Sequence, residues 1–299
     1  MEKTIKNNKL VLMEGAVVER LRRSASLTLH PLLVNAPLVY DKAGKLALEK
    51  IYQGYIDIAV KAKLPFLMCA PTWRASRARI VESKANPALN QDAVAFMQAL
   101  RNVQADRDRI KIGGLVGCKN DCYKPEQGLS VEDSYAFHSW QIDQLADANV
   151  DFLIAQTLPN VQEAHGIAKA MEKTGIPYII SFVISRDGRL LDKTSLMAAI
   201  AYIDSGTHTP ALGFMVNCAY PTFLCTEKQP PELFDRLIGF QANASSLDHC
   251  DLDGSDRLKE DKVSDWGNAM LDLNRSHGVK ILGGCCGTSD RHLNYIVGN

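Results

Sequence analysis

Three cysteines of the chain have neighbours and spacing that suit a metal site. Cys285 and Cys286 are adjacent and lie between glycines, and Cys218 follows Asn217. Three thiolates on one ion make a tetrahedral site with one open position, which is the arrangement of catalytic zinc. Soft sulfur ligands favour zinc over magnesium or calcium. A substrate thiol that entered the open position would bind as a thiolate at neutral pH, and such a thiolate can attack an activated methyl group.

Spacing alone leaves other interpretations of these cysteines open. The chain contains eight cysteines, and in a reducing compartment they can be buried small hydrophobes, reactive thiols or metal ligands. Adjacent cysteines in a strand point to opposite faces, so both can bind one ion only if the chain turns there. Glycines at positions 283, 284 and 287 permit such a turn. A disulfide between neighbours is disfavoured in a reducing compartment, although Cys285 and Cys286 could still form a redox pair.

Composition and charge limit the classes of protein to be considered. The 299 residues carry 34 basic and 34 acidic side chains, for a formal net charge of zero. A general binder of nucleic acid or of anionic membranes would usually have a basic excess, so we expect neither partner. The first residues contain no signal-peptide core, and no stretch has the roughly 18 uncharged apolar residues that a membrane span needs. These features predict a cytoplasmic protein.

Apolar runs rich in β-branched residues recur along the chain, with helix-like segments between them. The runs are residues 10–13, 64–70, 110–116, 152–157, 178–184, 211–218, 237–243 and 280–284. Alternation of buried strands with helices implies parallel strands joined by right-handed crossovers. This pattern predicts an α/β fold, a single (β/α)8 TIM barrel that residues 1–299 form as one domain. A doubly wound sheet is the alternative, but no Gly-x-Gly-x-x-Gly follows the first run to support it.

In a barrel of this type the active site lies at the carboxyl ends of the strands. The residues at those ends are Glu14, Cys69, Cys118, Gln156, Ser185, Asn217, Cys218, Asn243, Cys285 and Cys286. Cys218 ends the sixth strand, and Cys285 and Cys286 follow the eighth, on the two sides of the seventh. We therefore expect these three thiols to converge on one face of the barrel.

Several segments together resemble the homocysteine S-methyltransferase family. Residues 283–288 (GGCCGT) resemble the C-terminal signature of the family, and residues 217–221 (NCAYP) resemble its Asn-Cys-x-x-Pro motif. Residues 151–164 are similar to the family segment that follows the third helix, and residues 14–16 look like a variant of the opening Asp-Gly-Gly motif. The resemblance runs from about residue 10 to the end of the chain, and the two cysteine motifs together are highly specific.

The resemblance implies a zinc-dependent barrel enzyme that moves a methyl group from a donor to the thiol of homocysteine, giving methionine. By position, Cys218, Cys285 and Cys286 become the zinc ligands. The remaining assignments concern substrate binding: Glu14 and Gly15 of the opening motif, Gln156, Asn217 and Asn243. Within that set, Glu14 and Gln156 fall where the family holds the amino-acid end of the substrate, and the two asparagines would be supporting polar groups near the metal.

Two positions depart from the family pattern. The opening aspartate is Glu14, and the glutamate of the Glu-Thr-x-Pro segment is Gln156. An amide keeps a hydrogen-bond acceptor but loses the negative charge that would pair with an α-ammonium group, which could cost roughly 1.5–3 kcal/mol of binding. The alternative hypotheses are therefore a zinc-binding relative with a different thiol acceptor, or one with a noncatalytic or regulatory role.

The resemblance leaves the methyl donor open, and elimination favours a small one. A full barrel leaves no room in the chain for separate cobalamin and folate modules, so a sulfonium or betaine-type donor is the simpler choice. A cationic donor could rest against an aromatic face, with Trp73, Tyr123 and Trp266 as the options, although packing is the commoner role of such residues.

Other cysteine and acidic motifs are assigned no ligand. The Cys118-x3-Cys122 pair has no neighbouring His or Cys partners, so loop thiols are favoured over a second metal or redox site. Cys69 is expected to be a buried hydrophobe. Residues 248–256 (DHCDLDGSD) lack the spacing and terminal glutamate of a calcium-binding EF-hand, which favours a solvated loop.

Overall fold

The protein is a closed barrel of eight parallel strands in the order β1 to β8, as seen in a computed structural model that describes residues 1–24, 27–248 and 258–299. All eight predicted runs form strands, which confirms the (β/α)8 prediction. Their bounds are β1 Val11–Met13, β2 Phe66–Cys69, β3 Ile110–Gly117, β4 Phe152–Leu158, β5 Tyr178–Phe182, β6 Gly213–Ala219, β7 Leu237–Ala242 and β8 Ile281–Gly284. The barrel closes because β1 pairs with both β2 and β8.

Helices surround the barrel and connect successive strands. The α-helices of the described residues are α1 Glu2–Asn7, α2 Val18–Arg22, α3 Lys42–Lys61, α4 Arg77–Ser83, α5 Leu89–Asn102, α6 Val131–Asp147, α7 Val161–Glu172, α8 Leu196–Ser205, α9 Leu233–Arg236, α10 Val263–His277 and α11 Asp290–Gly298. Short 3-10 turns span Ala36–Val39, Arg107–Arg109, Pro125–Gln127, Pro221–Leu224 and Thr226–Lys228. Ser130 caps α6, since its Oγ accepts a hydrogen bond from the backbone N–H of Asp133.

The barrel interior is filled by side chains rather than open as a pore. Met13, Phe152, Ile179 and Met215 are among the buried residues of one interior cluster, and Ile5 of helix α1 packs against the same cluster. A larger apolar layer lies between the strands and the surrounding helices. Because these layers fix the strands, the residues at their carboxyl ends are held by rigid elements.

No helix in the described part of the chain is long and apolar enough to cross a membrane. Most of the acidic segment 248–256, including His249 and Cys250, lies outside the described residues, so the prediction of a solvated loop there stays a prediction.

Candidate metal and substrate site

The structure brings Cys218, Cys285 and Cys286 together at the carboxyl ends of the strands. Their sulfur atoms all lie within 4.8 Å of one another, and the group could hold a metal ion. Val183 and Leu191 pack against it on an apolar side. Sulfurs bound to one tetrahedral zinc ion would be about 3.8 Å apart, given Zn–S bonds of about 2.3 Å. The cluster is therefore close to the size that such an ion requires.

An irregularity in β6 brings Cys218 to this cluster. Asn217 pairs with Gln241 and Ala219 with Ala242, so Cys218 is an extra residue in its strand, and the register shifts there. Its φ of 54° lies in the left-handed region, where residues other than glycine are uncommon. Such bulges redirect side chains next to functional sites. As a result, Asn217 and Cys218 both line the cavity, although neighbours in a regular strand would face opposite ways.

Strand β4, on the other side of β5, has a similar irregularity. Its register with β5 shifts between Ala155 and Leu158, and Thr157 within that stretch has a φ of 60°. A β-branched residue in this conformation is strained, and surrounding contacts must hold it. Gln156 and Thr157 consequently both line the cavity.

The chain turns directly after β8 and thereby places Cys285 and Cys286 on the same side. The backbone N–H of Cys285 donates to Ala242 O at 2.7 Å, and Cys285 O accepts from both the backbone N–H and the Oγ1 of Thr288. Gly287 has a φ of +81°, which favours glycine at this position. The turn that the flanking glycines permit is therefore formed.

The chemistry of the three thiols fits a bound cation. Hydrogen bonds among the thiols act in both directions, but burial and mutual proximity leave the pKa of each well above its usual range. Three buried thiolates cannot coexist without a compensating positive charge, because burial without a partner disfavours the charged form. A divalent ion would provide that charge, which makes the cluster suitable for a metal.

Asn217 links the two strained residues beside the cluster. Its Oδ1 accepts from the backbone N–H of Thr157 at 2.8 Å and from Ser181 Oγ at 2.7 Å. Its Nδ2 donates to Thr157 Oγ1 at 2.7 Å and to Cys218 Sγ at 3.4 Å. The amide therefore fixes the bulge of β4 against that of β6, and its N–H bond would favour a thiolate at Cys218.

Glu14, Gly15, Gln156 and Asn243 line the same cavity, which has a volume of about 660 Å³. Asn243 is buried, and its Oδ1 has no hydrogen-bond partner among the described residues. An acceptor of this kind is available to a ligand, because buried polar atoms are normally paired. The structure thus gathers the residues predicted for the metal and for homocysteine around one cavity.

Burial sets the charge of Glu14. Only 6% of the residue is exposed, and burial raises its pKa to about 8, although the backbone N–H of Cys69, which donates to Oε2 at 2.7 Å, acts in the opposite direction. At neutral pH the carboxyl group of the ligand-free protein is therefore mainly protonated.

The raised pKa predicts that the ligand-free protein loses stability as pH rises. Between about 4.5 and 8, Glu14 is protonated in the folded protein but ionised in the unfolded chain, so stability falls by at most about 1.4 kcal/mol per pH unit. Glu14→Gln removes this dependence. Urea unfolding of the metal-free, reduced protein measures the free energy of unfolding at pH 5.5 and 8. The control is Glu132→Gln, which alters an exposed carboxylate and should keep the pH dependence of the parent protein. An equal pH dependence in the two variants contradicts the raised pKa of Glu14.

The three aromatic residues proposed for donor binding differ in position. Trp73 and Tyr123 line the cavity, and Tyr123 packs against the thiol cluster. Trp266 is fully buried, and its Nε1 donates to Asn243 O at 2.9 Å, so it supports the site from within the core and is not in the cavity wall.

The loop that carries Tyr123 is fixed by one buried carboxylate. Glu163, in the first turn of α7, accepts hydrogen bonds from the backbone N–H of Lys119 at 2.7 Å and of Leu129 at 3.4 Å. His138 Nε2 lies 3.0 Å from Glu163 Oε1, and both side chains are 1% exposed. Both ends of segment 119–129, which forms part of the cavity wall, are thus tied to the same helix.

Sequence reasoning missed Thr157, Gln241 and Glu163. Gln241 lies two residues before Asn243, and alternation along a strand places both on the same face. The position of Gln241 in the cavity wall could therefore have been predicted from the pattern. Glu163 acts on backbone groups more than thirty residues away in sequence, and no local pattern indicates such a contact.

The fold and the site together define a (β/α)8 barrel with a three-thiol cluster in a cavity at the carboxyl ends of its strands. Residues 11–298 match the family model described as homocysteine S-methyltransferase. The chain belongs to the homocysteine S-methyltransferase family.

Curated relatives resemble part of the chain. Homocysteine S-methyltransferase 4 of Zea mays is 31% identical over 193 residues, which cover 58% of this chain and 52% of the maize protein. An S-methylmethionine–homocysteine S-methyltransferase of Pongo abelii is 26% identical over 212 residues, covering 66% of this chain and 56% of that protein. The chain spans about half the length of the curated relatives it matches.

Solved structures support the same architecture. The homocysteine methyltransferase of Escherichia coli in its oxidized form has a TM-score of 0.76 at 18% identity, covering 98% of this chain and 96% of that chain. Its metallated form has a TM-score of 0.75. At this level of identity the likeness shows the fold.

Proposed function

We propose that the protein is a zinc-dependent S-methyltransferase. It would transfer a methyl group from a small sulfonium or betaine-type donor to the thiol of homocysteine, giving methionine and the demethylated donor. The observation that carries the proposal is the cluster of three cysteine sulfurs within 4.8 Å, in a cavity of a chain that belongs to this family. We also infer that residues 1–299 act as one domain, since β1 and β8 close the barrel.

One set of residues would bind the metal, and another set would bind the substrate. Cys218, Cys285 and Cys286 would hold zinc, which when bound lowers the pKa of a substrate thiol and presents it as a thiolate. Asn217 would orient Cys218 through its N–H bond to the sulfur. Three thiolates on a divalent ion leave a net charge of about −1, which keeps a further bound sulfur electron-rich.

The substrate-binding assignments concern the rest of the cavity. Glu14, Gly15 and Gln156 would bind the amino-acid end of homocysteine, and Asn243 would offer its unpaired Oδ1. An α-ammonium group beside Glu14 would favour ionisation of that carboxyl group, because an opposite charge stabilises the carboxylate.

The donor would occupy the part of the cavity near Trp73 and Tyr123. Aromatic faces attract cations such as sulfonium or quaternary ammonium groups. The name of the Pongo abelii relative specifies S-methylmethionine as its donor, which supports a sulfonium donor of this class for the present chain.

A panel of substrates tests the function. Purified, reduced protein is analysed for metal and assayed with homocysteine against S-methylmethionine, S-adenosylmethionine and betaine, each with a labelled methyl group. We expect about one zinc per chain and labelled methionine from at least one donor. If zinc is present but no thiol acceptor is methylated, the noncatalytic alternative is favoured. If freshly reduced protein binds no stoichiometric metal, the zinc assignment is wrong and a redox role for Cys285 and Cys286 is favoured.

A further inference from the structure

Gln241 connects a residue of the cavity wall to the backbone around the metal site. It is 4% exposed and lies in β7, across the barrel from Gln156 of β4. Its Nε2 is 3.2 Å from Glu14 O and 3.5 Å from Gly284 O. Its Oε1 accepts from Gln156 Nε2 at 2.5 Å. A chain of hydrogen bonds thus runs from two backbone carbonyls to the amide of Gln156.

The two carbonyls determine which amide atom donates and which accepts in this series of hydrogen bonds. A backbone carbonyl can only accept, so the amide of Gln241 must turn its NH2 group towards Glu14 O and Gly284 O. Its Oε1 then faces Gln156, and Gln156 must donate a hydrogen bond to it from its own NH2 group. The hydrogen bond to Gln241 uses Nε2 of Gln156, which leaves Oε1 as the acceptor atom of an amide that lines the cavity. Reversing either amide would place two oxygens or two NH2 groups against each other in a partly buried position, which is unfavourable.

We propose that Gln241 is a positioning residue that makes the site at Gln156 selective for acceptors carrying an N–H group. This proposal rests on the proposed function, in which Gln156 contacts the amino-acid end of the acceptor. Because Gln241 fixes the amide, Gln156 presents an acceptor oxygen to the substrate without having to carry a charge. A site built to pair with an N–H group rejects an analogue that lacks it, because its own polar atom is then left unpaired.

The test compares homocysteine with 4-sulfanylbutanoate, which has the same carbon chain and thiol but no amino group. Gln241→Met keeps an unbranched side chain of similar volume and removes both amide contacts. In this variant we expect the preference for homocysteine, taken as the ratio of the two kcat/KM values, to fall roughly 10- to 100-fold. The change should appear mainly in the KM for homocysteine, with kcat and zinc content close to those of the parent protein.

Asn90→Leu is the matched control. Asn90 is also a buried amide that donates to a backbone carbonyl, Ala75 O at 3.0 Å, but it lies in α5 away from the cavity wall. This variant is expected to lose stability without a change in the acceptor preference. If Gln241→Met does not fold, Gln241→Asn is used, since the shorter amide cannot span Gln156 and the carbonyls together.

The outcomes separate this proposal from the proposed function. A parent protein that methylates neither thiol contradicts the function and with it the basis of the inference. A parent protein that prefers homocysteine, together with a folded Gln241 variant that keeps the full preference, contradicts the role of Gln241 alone. Loss of preference in the Asn90 control as well would show that the ratio follows general stability, and this too would overturn the proposal.

Discussion

Cys218→Ala is expected to remove both the metal and the activity. Cys218 provides one of three sulfurs in the cluster, and two remaining thiolates leave an ion with two open positions in place of one. Metal analysis after dialysis against a weak chelator should give about one zinc for the parent protein and far less for the variant. Methyl transfer should fall by roughly a thousandfold or more, because the metal contributes several kcal/mol to activating the nucleophile.

Cys225→Ala is the control for this experiment. Cys225 shares the positive φ of Cys218 and is half-buried, but its Sγ lies 3.2 Å from Arg186 O, outside the cluster. It should keep metal and activity. Full activity in Cys218→Ala would contradict the metal assignment. An equal loss of metal and activity in both variants would indicate damage to the fold.

Glu163→Leu is expected to destabilise the protein by about 3 kcal/mol, since breaking a buried pair leaves its partners uncompensated. The substitution removes the acceptor for His138 Nε2 and for the backbone N–H groups of Lys119 and Leu129. Urea unfolding at neutral pH measures the loss. Asp192→Leu is the control beside the same helix, because the Asp192 carboxylate also accepts from two backbone N–H groups, those of Val161 and Thr194, but has no buried histidine partner among the described residues. A loss in Glu163→Leu no larger than in this control contradicts the prediction.

The same substitution should change the response to acid. Burial alone would raise the pKa of Glu163, but the His138 ring and the N–H groups of Lys119 and Leu129 outweigh it and hold the pKa below its usual range. A carboxyl group with a depressed folded pKa stabilises the protein above its unfolded pKa of about 4.5, and that contribution is lost as pH falls through the folded pKa. The stability difference between parent and variant should therefore be constant near neutral pH and shrink below about pH 4.

The fold could be predicted from the sequence because buried parallel strands consist of continuous apolar runs. Residues 178–184 and 211–218 are apolar on both faces, which is typical of strands covered by helices. The observed strands Tyr178–Phe182 and Gly213–Ala219 lie within two residues of those bounds. Strand ends follow local backbone geometry, which composition determines less closely.

Only part of the site could be predicted from the sequence. Strand ends predicted where Cys218, Cys285 and Cys286 meet, but not that β6 needs an extra residue to turn both Asn217 and Cys218 into the cavity. A bulge depends on the pairing of two strands, and the sequence of one strand does not contain that information. Trp266 has the packing role that was favoured for it; an aromatic side chain packs equally well in a core or a cavity wall, and only the fold decides which of the three options faces the cavity.

The two bulges have a consequence for protein engineering. An idealised barrel has regular strands and no left-handed residues outside glycine, so grafting the cysteines alone onto such a scaffold would leave the sulfur of β6 directed away from its partners. A transplant of this centre must import the irregular stretches of β4 and β6 and the asparagine that joins them. The smallest portable unit of the centre is thus this pair of distorted strands together with the turn after β8 that carries Cys285 and Cys286, and metal affinity in a graft should depend on the distortion being preserved.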